Sequence, residues 1–330
     1  MAKPVASLRL STGADIPAIG FGTFADVIVP GQMQAAVLAA LDAGYRHLDC
    51  AWYYKNESEV GSALQSWLTA NPNVKRKDIF VTTKVWTHLL EPDDVEWSLN
   101  NSLQNLKVDY VDTFLIHWPF ASERTDDREV KLGADGKYII KKELTANLAP
   151  AWRAMESLQL SGKTRSIGVS NYDIHHLEAL LAYAEIRPAI NQVEIHPYFP
   201  NTELIEFCKM NDILPVAYSP LGSQGQVKDL EGLEDSKVSV LTDQTLAEIA
   251  KMKSGSVAQI CIAWGTKRGY PVLPKSSNPE RLRANFEVLE LSETEFEQVN
   301  GIANRLGEKD GKGLRFVNPK GMFGLDNWKS

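Results

Sequence analysis

Eight short β-type runs, most of them followed by a stretch with helical periodicity, restrict this chain more than any other feature of its sequence. The runs are residues 18–21, 45–49, 79–84, 113–117, 165–169, 189–194, 214–218 and 270–273. Between them, Gln32–Ala43 reads as helix. So does the face made by Val95, Leu99, Leu103 and Leu106, where Pro92 sits in the first turn and its missing N–H costs nothing. Leu177, Leu180, Leu181 and Ala184 repeat the pattern after Asn171, and Leu204, Ile205 and Cys208 repeat it after Pro200. Such alternation predicts a parallel sheet. Eight units in 330 residues favour a closed (β/α)8 TIM barrel, with residues 1–330 as one domain.

Three segments interrupt the rhythm. Residues 119–148 are polar, with Gly133, Asp135 and Gly136 in a turn. Residues 219–240 are rich in Gly, Ser, Asp and Glu, and the tail after Gly307 is irregular, with Gly311, Gly313, Gly321 and Gly324. Loops that follow barrel strands open on the C-terminal face, so these long segments are expected to wall or cover a site there. Ahead of the barrel, residues 8–10 and Ile16 flank Thr12-Gly13 as an extra N-terminal β-hairpin, placed to plug the barrel bottom.

Composition narrows the partners. Hydrophobic residues make up 44%, enough for a large core, and the formal charge of −7 argues against nucleic-acid or membrane-surface partners, which need a basic footprint. The three cysteines, Cys50, Cys208 and Cys261, are far apart and form no C-x-x-C. That usage fits a reduced, cytoplasmic chain rather than a disulfide framework or a zinc site. No secretory h-region or membrane-length apolar run is visible in the sequence.

The chemistry collects at strand ends. Asp49, Lys84 and His117 each terminate a run, and Tyr54 lies just past Asp49. Ends of different parallel strands converge on one rim, so residues far apart in sequence can meet. A phenol ordinarily titrates near ~10, and a neighbouring ammonium lowers that value. The expected arrangement has Asp49 holding Lys84, Lys84 acidifying Tyr54, and Tyr54 giving a proton to a carbonyl oxygen that His117 orients. Any one of these residues alone is more often an ordinary polar residue at a strand end, and it is the joint pattern that points to chemistry. No side chain can supply hydride, so a redox cofactor is required. The histidines form neither H-x-H nor H-E-x-x-H, and His175-His176 read as a helix surface, so metal catalysis is not expected.

Gly20-Phe21-Gly22-Thr23-Phe24, Gly44-Tyr45-Arg46-His47-Leu48-Asp49, Tyr54-Lys55-Asn56-Glu57, Lys84-Val85-Trp86, His117-Trp118-Pro119, Gly168-Val169-Ser170-Asn171, Asn191-Gln192-Val193-Glu194, Tyr218-Ser219-Pro220-Leu221-Gly222-Ser223 and Leu273-Pro274-Lys275-Ser276 stand in this order. Together they resemble the aldo-keto reductase family over nearly the whole chain. The resemblance implies a (β/α)8 barrel, NADPH, reduction of aldehydes or ketones, and a catalytic tetrad at Asp49, Tyr54, Lys84 and His117. It also implies a monomer. Although Gly20–Ala25 fits the dinucleotide fingerprint G-x-G-x-x-A, the β-rich Asp26-Val27-Ile28-Val29-Pro30 follows instead of a helix. The segment therefore reads as the first barrel strand and its loop, with Thr23 near the cofactor.

The resemblance assigns Ser170, Asn171 and Gln192 to a nicotinamide carboxamide and Tyr218 to stacking beneath the ring. Ser219, Leu221 and Ser223 fall to the pyrophosphate loop, and Lys275, Ser276, Asn278, Arg281 and Asn285 to the adenosine end. Lys275 and Arg281 flank a helix start opened by Pro279, a setting that suits a 2′-phosphate and so NADPH. Ala284 stands where many members carry Glu, which leaves NADH use open. By family position Phe24, Trp52, Tyr53, Trp86, Trp118 and Phe120 wall the substrate pocket. Arg315, in a tail expected to fold over the mouth, is placed to meet a carboxylate. These features point to a small sugar or sugar-acid aldehyde, with D-galacturonate to L-galactonate first. L-glyceraldehyde/glycerol or a pentose is the alternative. A non-catalytic NADPH-binding auxiliary subunit and a metal-dependent barrel hydrolase are the readings from other classes.

Overall fold

In the computed structural model the described residues are 6–223, 238–305 and 313–317, with Pro319 and Phe323. Most of the loop after the seventh barrel strand (224–237) lies outside them, as do Gly307, Gly311, Asn318, Gly321 and Gly324. A hairpin of β1 (Ser7–Arg9) and β2 (Asp15–Pro17) opens the fold. The barrel strands are β3 (Phe21–Gly22), β4 (His47–Asp49), β5 (Phe80–Val85), β6 (Thr113–Ile116), β7 (Ile167–Ser170), β8 (Ile190–Glu194), β9 (Leu214–Tyr218) and β10 (Val272–Leu273). The helices are α1 (Gln32–Ala43), α2 (Glu57–Ala70), α3 (Pro92–Leu106), α4 (Lys142–Ala146), α5 (Ala149–Leu160), α6 (Ile174–Tyr183), α7 (Thr202–Met210), α8 (Gln244–Met252), α9 (Val257–Lys267), α10 (Pro279–Phe286), α11 (Glu293–Asn300) and α12 (Ile302–Arg305). Among the described residues no helix is long and apolar enough to cross a membrane.

The eight barrel strands pair in chain order, each parallel to the next. The ring closes between its ends. Ile19 bridges Val272, Gly20 N donates to Val272 O (2.9 Å), and Gly22 N donates to Pro274 O (3.1 Å). The close approach needs Gly20 to lack a side chain, because a Cβ there would sit 2.5 Å from Leu273 and 2.6 Å from the His47 ring. The first strand consequently lies slightly later than residues 18–21. β10 is shorter than expected because Pro271 has no N–H for the ladder.

The hairpin is a plug, as expected. Ile16 and Leu10 are buried against Phe80, Leu115, Ala189, Ile190, Val216 and Leu273, the lower layer of barrel side chains. At the other end, residues 119–148 are more ordered than a loop. Antiparallel bridges join Ser122 to Ile140, Arg124 to Val130 and Leu132 to Tyr138, and Arg124 and Arg128 both bind the buried Asp94 (2.6 and 2.9 Å). The β3–α1 loop is pinned from α2. Glu59 accepts from the N–H groups of Gly31 (2.8 Å), Met33 (3.0 Å) and Gln34 (3.1 Å), which occupies the free donors at the start of α1.

Candidate active site

Lys84 lies near the end of β5 with its side chain fully buried. Its Nζ donates to Asp49 Oδ1 (2.9 Å) and Oδ2 (2.8 Å), to Cys50 O (2.9 Å) and to Tyr54 Oη (3.2 Å). An ammonium has three N–H groups, so four acceptors share them, and the longest contact is the one to the phenol. The His117 ring stands edge-on to Tyr54 (5.8 Å) and to Trp86 (4.8 Å). The four residues predicted to meet do meet.

The electrostatics differ from the expectation in one respect. Burial pushes the Tyr54 phenol well above its ordinary value, and Asp49 and Cys50 add to the rise. The Lys84 ammonium, held by both Asp49 oxygens, does not offset that burial. Tyr54 therefore keeps its proton at neutral pH and is a stored acid rather than an acidified phenol. Burial, reinforced by Lys84, holds His117 well below the usual imidazole range, so this ring is neutral.

The groups expected around a nicotinamide are joined to this centre and to one another. Gln192 Nε2 donates to Asp49 Oδ1 (2.7 Å). Ser170 Oγ donates to Gln192 O (2.7 Å), and Asn171 Nδ2 donates to His117 O (2.9 Å) and Ser170 Oγ (3.2 Å). Tyr218 OH donates to Asn171 Oδ1 (2.7 Å). Asn171 has φ 62°, a left-handed conformation that asparagine tolerates at a turn. Thr23 is buried and bonds Asp49 O through both N (3.1 Å) and Oγ1 (2.9 Å), while Asn56 Nδ2 binds Thr23 O (2.8 Å). Ser219, Leu221 and Ser223 are half-buried beyond β9.

At the start of α10, Asn278 Oδ1 caps the helix through Arg281 N (3.0 Å), and Ser276 Oγ accepts from Asn278 N (3.1 Å). Asn285 is buried, whereas Lys275 and Arg281 are exposed and make no ion pair among the described residues. Two cations without an ion-pair partner among the described residues, beside a helix N-terminus, fit a phosphate, and the amide and hydroxyl set at Ser170, Asn171 and Gln192 fits a carboxamide. The chain's own donors thus suit both ends of a phosphorylated nicotinamide dinucleotide.

The aromatic walls divide. Tyr53 stacks on Trp86 (3.7 Å), Phe24 is edge-on to Tyr54 (5.3 Å), and Trp118 and Phe120 each contact Phe323 (both 5.0 Å). Trp52 does not join them. Its ring lies under Lys55 Nζ (3.4 Å) and against His88 (5.0 Å), and it lines a separate cleft with Trp97, Asn101, Asn105 and Glu129. The reason is local. Residues Trp52–Tyr54 form one 3-10 turn, whose three side chains point in three directions.

Arg315 also departs from the expectation. Its Nε lies 3.6 Å from the buried carboxylate of Glu194, so the guanidinium already has an anionic neighbour in the protein. Three further residues escaped the sequence reading. Glu57 is a buried carboxylate held by Thr83 (2.5 Å) and Ser102 (2.9 Å), Tyr138 donates no periodic signal yet its OH accepts from Trp86 Nε1 (3.3 Å), and Phe323 closes the aromatic group. Only Glu57 had a usable signal, as part of Tyr54-Lys55-Asn56-Glu57. His175 and His176 sit in the first turn of α6, each with Nδ1 2.7 Å from Asp173, the helix N-cap.

A closed parallel barrel with a buried Lys–Asp pair under a protonated tyrosine defines a carbonyl oxidoreductase. The chain belongs to the aldo/keto reductase family, whose pattern matches residues 18–304. A glycerol 2-dehydrogenase (NADP(+)) of Hypocrea jecorina is 54% identical over 320 residues, covering 97% of this chain and 96% of the relative. A Saccharomyces cerevisiae protein of the same name is 40% identical over 311 residues, covering 92% of each. Among solved structures, an aldose reductase from Giardia lamblia superposes with a TM-score of 0.83 at 36% identity, covering 93% of this chain and 97% of that one.

Proposed function

We propose that this chain is an NADP(H)-dependent oxidoreductase that interconverts a small polyol and its carbonyl form, with glycerol and its three-carbon aldehyde or ketone as the physiological pair. The observation that carries the catalytic part is the 3.2 Å contact from Lys84 Nζ to Tyr54 Oη, on an ammonium held by Asp49. When bound, the dinucleotide supplies the hydride. Tyr54 gives its proton to the substrate oxygen, and the phenolate left behind accepts from Lys84. Asp49 supplies the counter-charge that a fully buried ammonium needs. The neutral His117 ring orients the carbonyl. Alcohol oxidation runs the same proton backwards.

For the substrate, two relatives named glycerol 2-dehydrogenase (NADP(+)) support the three-carbon alternative. The ion pair of Arg315 with Glu194 weakens the support that this residue gave to a uronate. A bare NADPH-binding subunit would not require the complete tetrad. The test is loss of NADPH absorbance with glyceraldehyde, dihydroxyacetone, D-xylose and D-galacturonate, and gain from NADP+ with glycerol. The proposal expects the three-carbon compounds to have the highest kcat/KM. Preference for D-galacturonate would restore the uronate reading, and inactivity on every carbonyl would favour the binding subunit.

A further inference from the structure

Glu194 lies two residues past Gln192 on β8, beside Tyr218 of β9, and is almost fully buried, and among the described residues its carboxylate makes no hydrogen bond to the tetrad. Its two oxygens face the C-terminal tail. Oε1 accepts from Phe316 N (2.8 Å) and contacts His196 Nε2 (2.9 Å), and Oε2 accepts from Val317 N (3.0 Å) with Arg315 Nε at 3.6 Å. Burial alone would raise this carboxyl, but the contacts with His196, Arg315 and the tail N–H group outweigh it and hold the group below its ordinary value. Charged acceptors with several donors of this kind are the strong hydrogen bonds of a protein.

What the tail then touches gives the carboxylate its consequence. Phe316 is buried on the His196 ring (4.8 Å) and lies against Gly222 in the loop after β9, where a Cβ would come within 3.0 Å of the Phe316 ring. That approach, with φ 74° at Gly222, admits only glycine. Leu314 N donates to Tyr198 O (2.7 Å) beside it. Further along, Phe323 is buried among Trp86 (5.9 Å), Trp118, Phe120 and Tyr138 (5.0 to 5.1 Å). One buried carboxylate therefore fastens a strap, residues 315–317, which meets the proposed cofactor loop through Phe316, and Phe323 of the pocket wall follows six residues later in the chain.

We infer that Glu194 is a positioning residue for the reaction. By anchoring residues 315–317 it holds Phe316 on the cofactor loop and Phe323 in the pocket wall, and so sets the affinity for substrate without touching it. This rests on the oxidoreductase reading for its kinetic consequence and on contacts alone for its structural one. Glu194→Gln puts an N–H donor where one tail N–H needs an acceptor. It should raise KM for glyceraldehyde roughly tenfold or more, the loss of one charge-assisted hydrogen bond, while kcat stays within about threefold. Deleting residues 314–330 should raise KM as well, and adding Glu194→Gln to that deletion should change nothing further. A defect that persists undiminished in the tail-less chain would overturn the inference, because Glu194 would then act through the barrel. Should Glu194→Gln fail to fold, Val317→Pro removes one tail donor with Glu194 in place, and it must reproduce the KM rise. Limited proteolysis needs no turnover. Cleavage confined to the tail and faster in either variant supports the strap even if every carbonyl proves inert, and an unchanged cleavage rate counts against it.

Discussion

Gln192 Nε2 donates to Asp49 Oδ1 at 2.7 Å, which joins the expected nicotinamide cradle to the ion pair behind the proton donor. Asp49 then accepts from Lys84 and Gln192 together, and Lys84 reaches Tyr54. Gln192→Leu should therefore impair more than cofactor affinity. Loss of a hydrogen bond to a buried charge costs about 1.5–3 kcal/mol, or roughly 10- to 100-fold in kcat/KM. Steady-state kinetics beside NADPH titration checks it. A change in affinity with kcat intact would show that the Asp49 contact has no catalytic effect.

The pH profile follows from two buried groups. Reduction needs Tyr54 protonated, and its raised pKa moves the falling limb above the ordinary phenol value of ~10. His117 is held neutral, so no limb should appear near the imidazole value of ~6.5. The kcat/KM for reduction should be flat from pH 6 to 9 on the order of a factor of two, within which neither group titrates. Oxidation needs the phenolate and should rise with pH over the same range. A fall in reduction below about pH 8 would contradict a stored phenolic proton.

Cofactor choice should reside in two exposed cations. Lys275 and Arg281 flank the start of α10 without ion-pair partners among the described residues. Lys275→Met with Arg281→Ala should weaken NADPH binding by about 10- to 100-fold and NADH binding far less. Fluorescence titration with both cofactors separates the outcomes, and equal losses would place the 2′-phosphate elsewhere.

Arg315→Ala should affect neutral and acidic aldehydes alike. The guanidinium faces Glu194, and burial pushes the adjoining Tyr218 phenol up, with Glu194 adding to the rise and Arg315 opposing it. Its loss loosens the tail rather than removing a carboxylate receptor. KM values for D-galacturonate and D-xylose should rise by the same factor, and a selective rise for the uronate would return Arg315 to the substrate.

The barrel was legible because strand-and-helix alternation is a property of local periodicity, and β4 to β9 fall close to where the apolar runs do. The tetrad was legible because parallel strand ends share a rim. What could not be read depended on direction and depth. Trp52 and Tyr53 are neighbours in sequence, yet a single 3-10 turn sends one to Lys55 and the other to Trp86. Phe323 sits in a glycine-rich stretch with no period to announce its burial. The proximity of Lys84 to Tyr54 was predictable, but the sign of the phenol's shift was not. It turns on how deeply the phenol is buried, which the ammonium does not offset.

Tyr54→Phe tests the proton donor most directly, because it removes one hydroxyl and leaves the ring against Phe24 and His117. Glyceraldehyde reduction should fall by about 10²–10⁴-fold, with the dissociation constant for NADPH unchanged. A variant that binds NADPH normally and keeps most of the wild-type rate would contradict the account.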